Sequence, residues 1–363
     1  MKIIKMDPDH PEEEKIEKTT QILKEGKIVA FPTDTVYGLG VDAENEAAIK
    51  RLYQVKKRSL DKPMTLFLRK KEDFIWFARL VPLFAQRLIN EFWPGPLTLI
   101  FKASQDSPHS LISKQGKIGL RLPAHPIPQT IIKKGKILLA TTSANLSGKF
   151  TPSTSGDLDK ALLDGIDLLI DGGESLLGEE STIVDVTRFP PLLIREGWLV
   201  PEQIEKVWQE KGSILFVCTG NTCRSPMAEC LLKKMWPQRQ RDEIKIDSAG
   251  TSALPDLHPT SLTQKIIKEK GVDISCHESK TLNQKMVEET DLILVMEKAH
   301  KNKVLDLSSL AEGKVFLLKE FALGVEEEIL DPMGGSEASY RECVREIEKS
   351  IEGLIEKLMG FGE

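Results

Sequence analysis

The segment from residue 214 to residue 235 constrains the fold more than any other part of the chain. An apolar run, ILFVC, ends in a polar loop at 218–225, and the helix-forming stretch SPMAECLLKKM follows directly. Three later apolar runs alternate with helix-forming stretches and lie at 244–250, 291–296 and 314–319. This alternation predicts an α/β fold for residues 213–363, with a doubly wound parallel four-stranded sheet.

The first two hundred residues also alternate strands and helices, but in a less regular order. Helices are predicted over 46–57 and inside 73–92. Strand-forming runs are predicted at 27–33, 64–68, 96–101, 117–122, 136–142, 167–171, 181–186 and 191–196. The irregular order predicts a twisted mixed sheet with helices, again of the α/β class.

A short closing helix is predicted over 201–213, and its polar exit contains a glycine. A chain of 363 residues is also long for one hydrophobic core, since domains usually hold roughly 100 to 200 residues. We therefore expect two domains, at 1–210 and 213–363, with the boundary in this closing segment.

Composition limits the classes of function. The net charge of −5 argues against a protein that coats nucleic acid, so we expect no stable nucleic-acid binding. No apolar stretch reaches the ~18 residues that a membrane span needs, and the amino terminus has no signal-peptide core. An odd number of cysteines, five, is typical of a reducing compartment, and the histidines form no HExxH or CxxC pattern. We expect a cytoplasmic protein without a structural metal site.

The loop at 218–225 has the chemistry of a phosphate site. Backbone N–H groups of a loop at a helix N-terminus can cradle an oxyanion, and Arg224 adds charge-assisted hydrogen bonds. Cys218 is the candidate nucleophile, and we expect this field to lower the pKa of its thiol. We expect Ser225 to donate to the thiolate. The remaining candidate loop residues are Thr219, Gly220, Asn221, Thr222 and Cys223, with Gly220 taking the unusual backbone angles and Asn221 bracing the loop.

The sequence DPMGGS places a carboxylate in a second loop, where Asp331 is the candidate general acid. Pro332 and the glycine pair Gly334–Gly335 indicate a loop able to swing that carboxyl group over the pocket. Attack by Cys218 would give a phosphocysteine, and the same carboxylate would then activate the hydrolytic water.

FVCTGNTCRSPMAE and DPMGGS give the region 213–363 a resemblance to the low-molecular-weight protein tyrosine phosphatase family. Thr222 and the DP-x-GGS loop are similar to the protein arginine phosphatase branch, whereas members acting on phosphotyrosine usually carry a bulky aliphatic residue at this position. Met333 departs from that branch, which has phenylalanine there. The resemblance implies a cofactor-independent protein phosphatase that acts on phosphoarginine, with phosphotyrosine as the alternative.

The alternatives for this region are an arsenate reductase and a pseudo-phosphatase. An arsenate reductase needs relay cysteines close together after the loop, whereas Cys230, Cys276 and Cys343 are widely separated. A pseudo-phosphatase that only binds phosphorylated proteins is disfavoured by the presence of Cys218, Arg224 and Asp331 together.

The first half contains neither GxxxxGK[ST] nor GxGxxG, so any nucleotide would be held without a common glycine loop. Hydroxyl and cationic side chains instead follow its predicted strands, in PTDTVYGLG, VKKRSLDKP, GLRLPAHP, TTSANLSG, STIVDVT and LIREG. Such groups suit a triphosphate and a carboxylate if they converge. Taken alone, each has an ordinary explanation, such as a solvated helix end for the cations at 56–62.

The order of these motifs over residues 12 to about 208 resembles the YrdC/Sua5 family of threonylcarbamoyl-AMP synthases. The resemblance implies that L-threonine, bicarbonate and ATP are joined into threonylcarbamoyl-AMP for the t6A nucleoside of tRNA, with Mg²⁺ on the ATP. It assigns threonine binding to Thr35, Arg121, Thr141 and Ser181. It assigns ATP binding to Lys56, Arg58, Lys62, Ser143, Asn145, Thr151 and Arg195. Phe67 stands where some archaeal relatives have histidine.

The resemblance further implies the tRNA threonylcarbamoyl transferase machinery as a partner. The alternative for the first half is a double-stranded RNA or nucleotide-binding module without synthase activity. The two differ in whether ATP is cleaved to pyrophosphate only when threonine and bicarbonate are both present.

Overall fold

The computed structural model describes residues 1–59, 62–237 and 244–359. Leu60 and Asp61 of the predicted basic motif VKKRSLDKP therefore lie outside the described residues. The chain forms two compact units. Unit 1 comprises Met1–Arg79 and Glu91–Val207, and unit 2 comprises Leu80–Asn90 and Trp208–Glu363. The division predicted at 210 did not anticipate that Leu80–Asn90 belongs to unit 2.

Ten strands before residue 200 form one sheet, which lies in unit 1. They are β1 (Lys2–Lys5), β2 (Val29–Phe31), β3 (Gly38–Asp42), β4 (Thr65–Phe67), β5 (Leu97–Lys102), β6 (Lys117–Arg121), β7 (Leu139–Ser143), β8 (Leu168–Asp171), β9 (Thr182–Asp185) and β10 (Leu192–Arg195). Their spatial order is β1-β8-β2-β3-β7-β4-β6-β5-β9-β10. The sheet contains both parallel pairs, such as β4 with β6, and antiparallel pairs, such as β3 with β7, which confirms the predicted mixed sheet.

Helices of the same part of the chain are α1 (Glu13–Lys24), α2 (Glu46–Val55), α3 (Phe74–Phe77), α4 (Leu83–Phe92), α5 (Pro126–Gly135), α6 (Lys160–Leu163) and α7 (Pro201–Trp208). The amphipathic helices α1 and α5 cover the sheet, because Ile16 and Ile131 share a core with Phe31 of β2. Local capping fixes where α2 begins, since the Asn45 side chain accepts the Ala48 N–H at 3.0 Å.

Strand β3 was not predicted, because GLGVD shows no alternation of apolar and polar residues. Its glycines serve close packing. A Cβ on Gly40 would lie 2.6 Å from the Phe31 ring of the neighbouring strand β2. The predicted closing helix is shorter than 201–213, because α7 ends at Trp208 and the next strand already begins at Gly212.

Unit 2 contains a second sheet of four parallel strands, β11 (Gly212–Cys218), β12 (Ile244–Gly250), β13 (Leu292–Val295) and β14 (Val315–Leu317). Their order is β12-β11-β13-β14, which confirms the predicted doubly wound parallel sheet. Helices of this region are α8 (Arg224–Met235), α9 (Ser261–Glu269), α10 (Gln284–Glu289), α11 (Lys298–Leu307), α12 (Leu318–Leu323) and α13 (Glu337–Met359).

The topology of unit 2 decides where a ligand can bind. Strand order reverses between β12 and β13, on either side of the central β11, and Cys218 is the last residue of β11. Ligands of open parallel sheets bind beyond the carboxyl ends of the strands at such a reversal. Among the described residues, no helix is long and apolar enough to cross a bilayer.

Candidate functional sites

The loop after β11 turns sharply between Cys218 and the first residue of α8, Arg224. The left-handed backbone angle falls on Asn221, whose φ is 55°, and Gly220 does not take it. The prediction that Gly220 supplies the unusual angles is therefore wrong. Asparagine tolerates this region better than most side chains, and its amide is free to bond the surrounding backbone.

Asn221 is fully buried and holds the loop together. Its Nδ2 donates to Ser225 Oγ at 2.9 Å and to Ser248 Oγ at 2.8 Å. Its Oδ1 accepts the backbone N–H of Lys280 at 2.8 Å. The amide therefore joins the helix end of the loop, at Ser225, to strand β12 and to Lys280.

The Cys218 sulfur faces into the loop. The Asn221 N–H donates to Sγ at 3.3 Å, and Ser225 Oγ lies 2.9 Å from it. Burial raises the pKa of the Cys218 thiol, contrary to the expected lowering, while the Ser225 hydroxyl and the Arg224 charge oppose that rise. Ser225, Asn221 and Arg224 are thus the groups that favour the thiolate against the effect of burial.

Arg224 is buried and engages two acidic side chains. Nη1 donates to Glu297 and, at 2.9 Å, to the Ile329 carbonyl, while Nη2 donates to Asp331 Oδ2 at 2.5 Å. Glu297 was not predicted, because it follows β13 and reaches the loop only through the pairing of β13 with β11.

The predicted general acid therefore lies beside the predicted nucleophile loop. Asp331 is exposed, and its Oδ1 accepts the Met333 N–H at 3.0 Å, which bends the acid loop back on itself. Thr222 is buried in the loop wall. The Cys223 sulfur points toward Thr260 and Tyr340, whose oxygens each lie 3.7 Å away.

In unit 1, most of the predicted synthase residues line one cavity at the sheet. Seven of them do so: Thr35, Arg58, Arg121, Thr141, Ser143, Ser181 and Arg195. Four strands or strand ends supply five of them, from β6, β7, β9 and β10, while Thr35 lies between β2 and β3 and Arg58 follows α2. Only the folded chain therefore brings them together. Phe67, Thr98 and Glu180 complete the polar and apolar lining.

Arg121 organises one side of the cavity. Its Nη1 donates to Thr35 Oγ1 at 3.0 Å, its Nε donates to the Gly95 carbonyl at 3.0 Å, and its Nη2 lies 2.8 Å from Asp34 Oδ2. The guanidinium also lies 5.6 Å from the centroid of the Phe67 ring. An aromatic ring at 67 thus supports the arginine by a cation–π contact.

A second cluster is formed by Arg195, the last residue of β10, and Ser181, which directly precedes β9. Arg195 donates through Nη2 to the Ser181 carbonyl at 2.8 Å and pairs through Nη1 with Glu180 at 2.9 Å. Ser181 Oγ lies 2.9 Å from Thr98 Oγ1. Glu180 was not predicted as a site residue, because an acidic residue in a polar segment does not by itself indicate a binding site.

Four predicted ATP residues do not line this cavity. Lys56 is buried and donates to the Ser143 carbonyl and to Asn145 Oδ1, and burial lowers its pKa to about 7. Asn145 in turn donates to Thr151 Oγ1 at 3.3 Å, so the three form a layer behind Ser143. Lys62 is exposed, and its carbonyl accepts the Arg58 Nε–H at 2.8 Å.

The described residues offer little to a protein-bound metal ion. Glu180 is the carboxylate of the cavity lining, and it already pairs with Arg195. Within the described ranges, no group of three His, Cys, Asp or Glu side chains is arranged to hold a metal.

Comparison with known proteins separates the two regions. Residues 21–197 match the Sua5/YciO/YrdC family, described as telomere recombination, and residues 213–360 match the low molecular weight phosphotyrosine protein phosphatase family. A threonylcarbamoyl-AMP synthase of Pyrococcus abyssi is 40% identical over 196 residues, which are 54% of this chain and 58% of that protein. The chain thus spans little more than half the length of this relative.

Two further relatives agree. A putative threonylcarbamoyl-AMP synthase of Methanocaldococcus jannaschii is 38% identical over 206 residues, which cover 56% of this chain and 95% of that protein. The solved structure of a P. abyssi Sua5 variant aligns with a TM-score of 0.54 at 27% identity, covering 87% of this chain and 99% of that one.

Proposed function

The chain belongs to the Sua5/YciO/YrdC family through residues 21–197 and carries a low-molecular-weight phosphatase domain at 213–360, and we propose on this premise that it is a bifunctional enzyme. The first activity is synthesis of threonylcarbamoyl-AMP from L-threonine, bicarbonate and ATP. The second is dephosphorylation of proteins through a phosphocysteine. We place both activities in the cytoplasm, where ATP is available and cysteine thiols stay reduced.

The observation that supports the synthase is the convergence of hydroxyl groups and three arginines in one cavity. Arg121 and Thr35 suit the carboxylate of threonine, and Arg58 and Arg195 suit a triphosphate. The carbamate oxygen attacks the α-phosphorus, and pyrophosphate leaves. Positioned cations stabilise the charge that builds on the phosphorus, so the cavity acts by orientation and electrostatics.

The test of this activity is pyrophosphate release by the purified chain. We expect release from ATP only when threonine and bicarbonate are both present. Release without threonine, or none in the complete mixture, contradicts the proposal. Binding of double-stranded RNA without any pyrophosphate release would support the alternative binding module.

Arg195→Ala should raise the KM for ATP by at least about tenfold, because a charge-assisted contact to phosphate is lost. The matched control is Arg69→Ala, which removes an arginine that pairs with Asp73 and does not line the cavity. The measurement is the ATP dependence of pyrophosphate release. Equal KM values for the two variants would contradict the assignment of Arg195.

The observation that supports the phosphatase is that three groups meet at one loop. The Cys218 sulfur faces into the loop, and Arg224, at its end, donates to Asp331. Cys218 attacks the phosphorus while Arg224 and the loop N–H groups bind its oxygens. Asp331 gives up its contact with Arg224 and, as a carboxylic acid, donates a proton to the leaving group. The resulting carboxylate then activates the water that hydrolyses the phosphocysteine.

Thr222 supports phosphoarginine as the substrate. It is buried in the loop at 218–225. A hydroxyl side chain at this position would offer a guanidinium a hydrogen-bond acceptor and would leave more room for a planar group than a bulky aliphatic side chain. Thr222→Ile replaces the hydroxyl by apolar surface that packs on a phenyl ring. We expect the ratio of phosphotyrosine to phosphoarginine turnover to rise by at least about tenfold.

The measurement is a side-by-side assay on phosphoarginine and phosphotyrosine peptides. Thr222→Ser is the control, since it keeps the hydroxyl and should keep the preference for phosphoarginine. An unaltered ratio in Thr222→Ile would refute the substrate argument while leaving the phosphatase activity itself intact.

A further inference from the structure

His300 is a buried histidine beside the loop at 218–225, here called the phosphate loop. The proposed phosphatase mechanism assigns this histidine no role. Its side chain is 3% exposed, and its Nε2 lies 2.9 Å from Thr219 Oγ1. It belongs to the first turn of α11, three residues after Glu297. The Met296 N–H donates to the Val217 carbonyl at 3.1 Å, and this contact fixes the start of α11 against the end of β11.

The surroundings of His300 favour the uncharged imidazole. Nδ1 is buried and finds no hydrogen-bond partner within the described part of the chain, so a second proton on the ring would be an N–H without an acceptor there. Burial lowers the pKa of His300, and the nearby charges of Arg224 and Lys303 lower it further, against the opposing effects of Glu297 and Asp331. The ring therefore works as a neutral hydrogen-bonding group.

Thr219 connects His300 to Arg224. Thr219 is exposed at the mouth of the loop, where a threonine hydroxyl would rotate freely without a partner. Its Oγ1 accepts from Arg224 Nη2 at 3.5 Å, and the same nitrogen donates to Asp331. Once Asp331 leaves Arg224 to protonate the leaving group, Thr219 is the side chain, among the described residues, that still bonds this nitrogen beside the bound phosphate.

We propose that His300 is a positioning residue of the phosphatase site, which fixes the Thr219 hydroxyl so that Arg224 stays in place while Asp331 acts as the acid. This inference rests on the proposed phosphatase function. It concerns phosphate binding by the loop, and it is independent of whether the substrate is phosphoarginine or phosphotyrosine.

The test uses the full chain in a Cys276→Ser background, because Cys276 is an exposed free thiol that would also react. Alkylation of Cys218 by iodoacetamide is followed by peptide mass across pH, with and without inorganic phosphate. The variants are His300→Ala, His300→Gln and Thr219→Val, together with the double variant of His300→Ala and Thr219→Val.

We expect His300→Ala and Thr219→Val each to weaken protection by phosphate about tenfold and to shift the thiol titration to higher pH. The double variant should lose no more than either single one, because both interrupt the same connection. His300→Gln, which keeps a donor near the Nε2 position, should restore protection. A purely structural role would not produce this rescue or this change in thiol titration.

Unchanged protection in His300→Ala or Thr219→Val, or losses that add in the double variant, would overturn the inference. If His300→Ala does not fold, the Thr219→Val and His300→Gln variants test the inference instead. Full protection of Thr219→Val by phosphate would contradict a connection from His300 through Thr219 to Arg224. A protein with native His300 that phosphate fails to protect would overturn the proposed phosphatase function along with it.

Discussion

Cys218→Ser lowers phosphatase turnover by at least about 10⁴-fold, because a serine hydroxyl in this loop cannot replace the thiolate as nucleophile. Inorganic phosphate should still bind, since Arg224 and the loop backbone remain and the Ser225 hydroxyl keeps a hydrogen-bonding neighbour at 218. The measurement is phosphate release from a phosphorylated peptide together with phosphate affinity by calorimetry.

Two controls accompany this variant. Cys276→Ser removes an exposed thiol and should leave turnover unchanged. Pyrophosphate release from ATP should be unaffected by Cys218→Ser, because the synthase cavity lies in the other unit. Residual turnover near that of the unsubstituted protein would show that another group is the nucleophile.

Asp331→Asn should lower kcat on peptide substrates by about 10²- to 10⁴-fold, because the leaving group then departs without a proton. Phosphate binding should persist or tighten, since Asp331 no longer competes for Arg224 Nη2. Aryl phosphates with more acidic leaving groups should lose much less activity. The measurement is kcat for a series of aryl phosphates of increasing leaving-group acidity.

Glu297→Gln is the matched control, because Glu297 is the other acid on Arg224 but bonds Nη1 from the β13 side of the site. It should retain the ordinary dependence on leaving-group acidity. If Asp331→Asn and Glu297→Gln showed the same dependence, Asp331 would not be the acid.

The general architecture was predictable because its signals are local. The apolar runs that became β4, β6 and β11 are bounded by turn residues, and the Cys218 to Ser225 segment joins a strand to a helix in one stretch of sequence. The mixed and the parallel sheets follow from how such runs alternate with helices.

The missed features depend on the folded chain. Strand β3 is hidden by the glycines that let it approach Phe31, and Glu297 and His300 reach the phosphate loop only because β13 pairs with β11. The left-handed residue is Asn221, since its side-chain amide makes three hydrogen bonds there that a glycine could not make.

The synthase residues show the same limit. Motifs along the chain indicated Thr35, Arg121 and Arg195, but the pairing of Arg195 with Glu180 needs the sheet. Three predicted ATP residues lie near the cavity but do not line it: Lys56, Asn145 and Thr151. Their polar atoms are engaged in hydrogen bonds with Ser143 and with one another, which the sequence alone does not reveal.

The central claim is that the turn after β11 binds a phosphoryl group and transfers it to Cys218. Its most direct test is a rapid quench of the full chain within the first turnover of a phosphoarginine peptide, followed by mass analysis of the loop peptide. The account predicts one added phosphoryl group on Cys218, absent in Cys218→Ser. Label on a different residue, or none while phosphate is released, would contradict it.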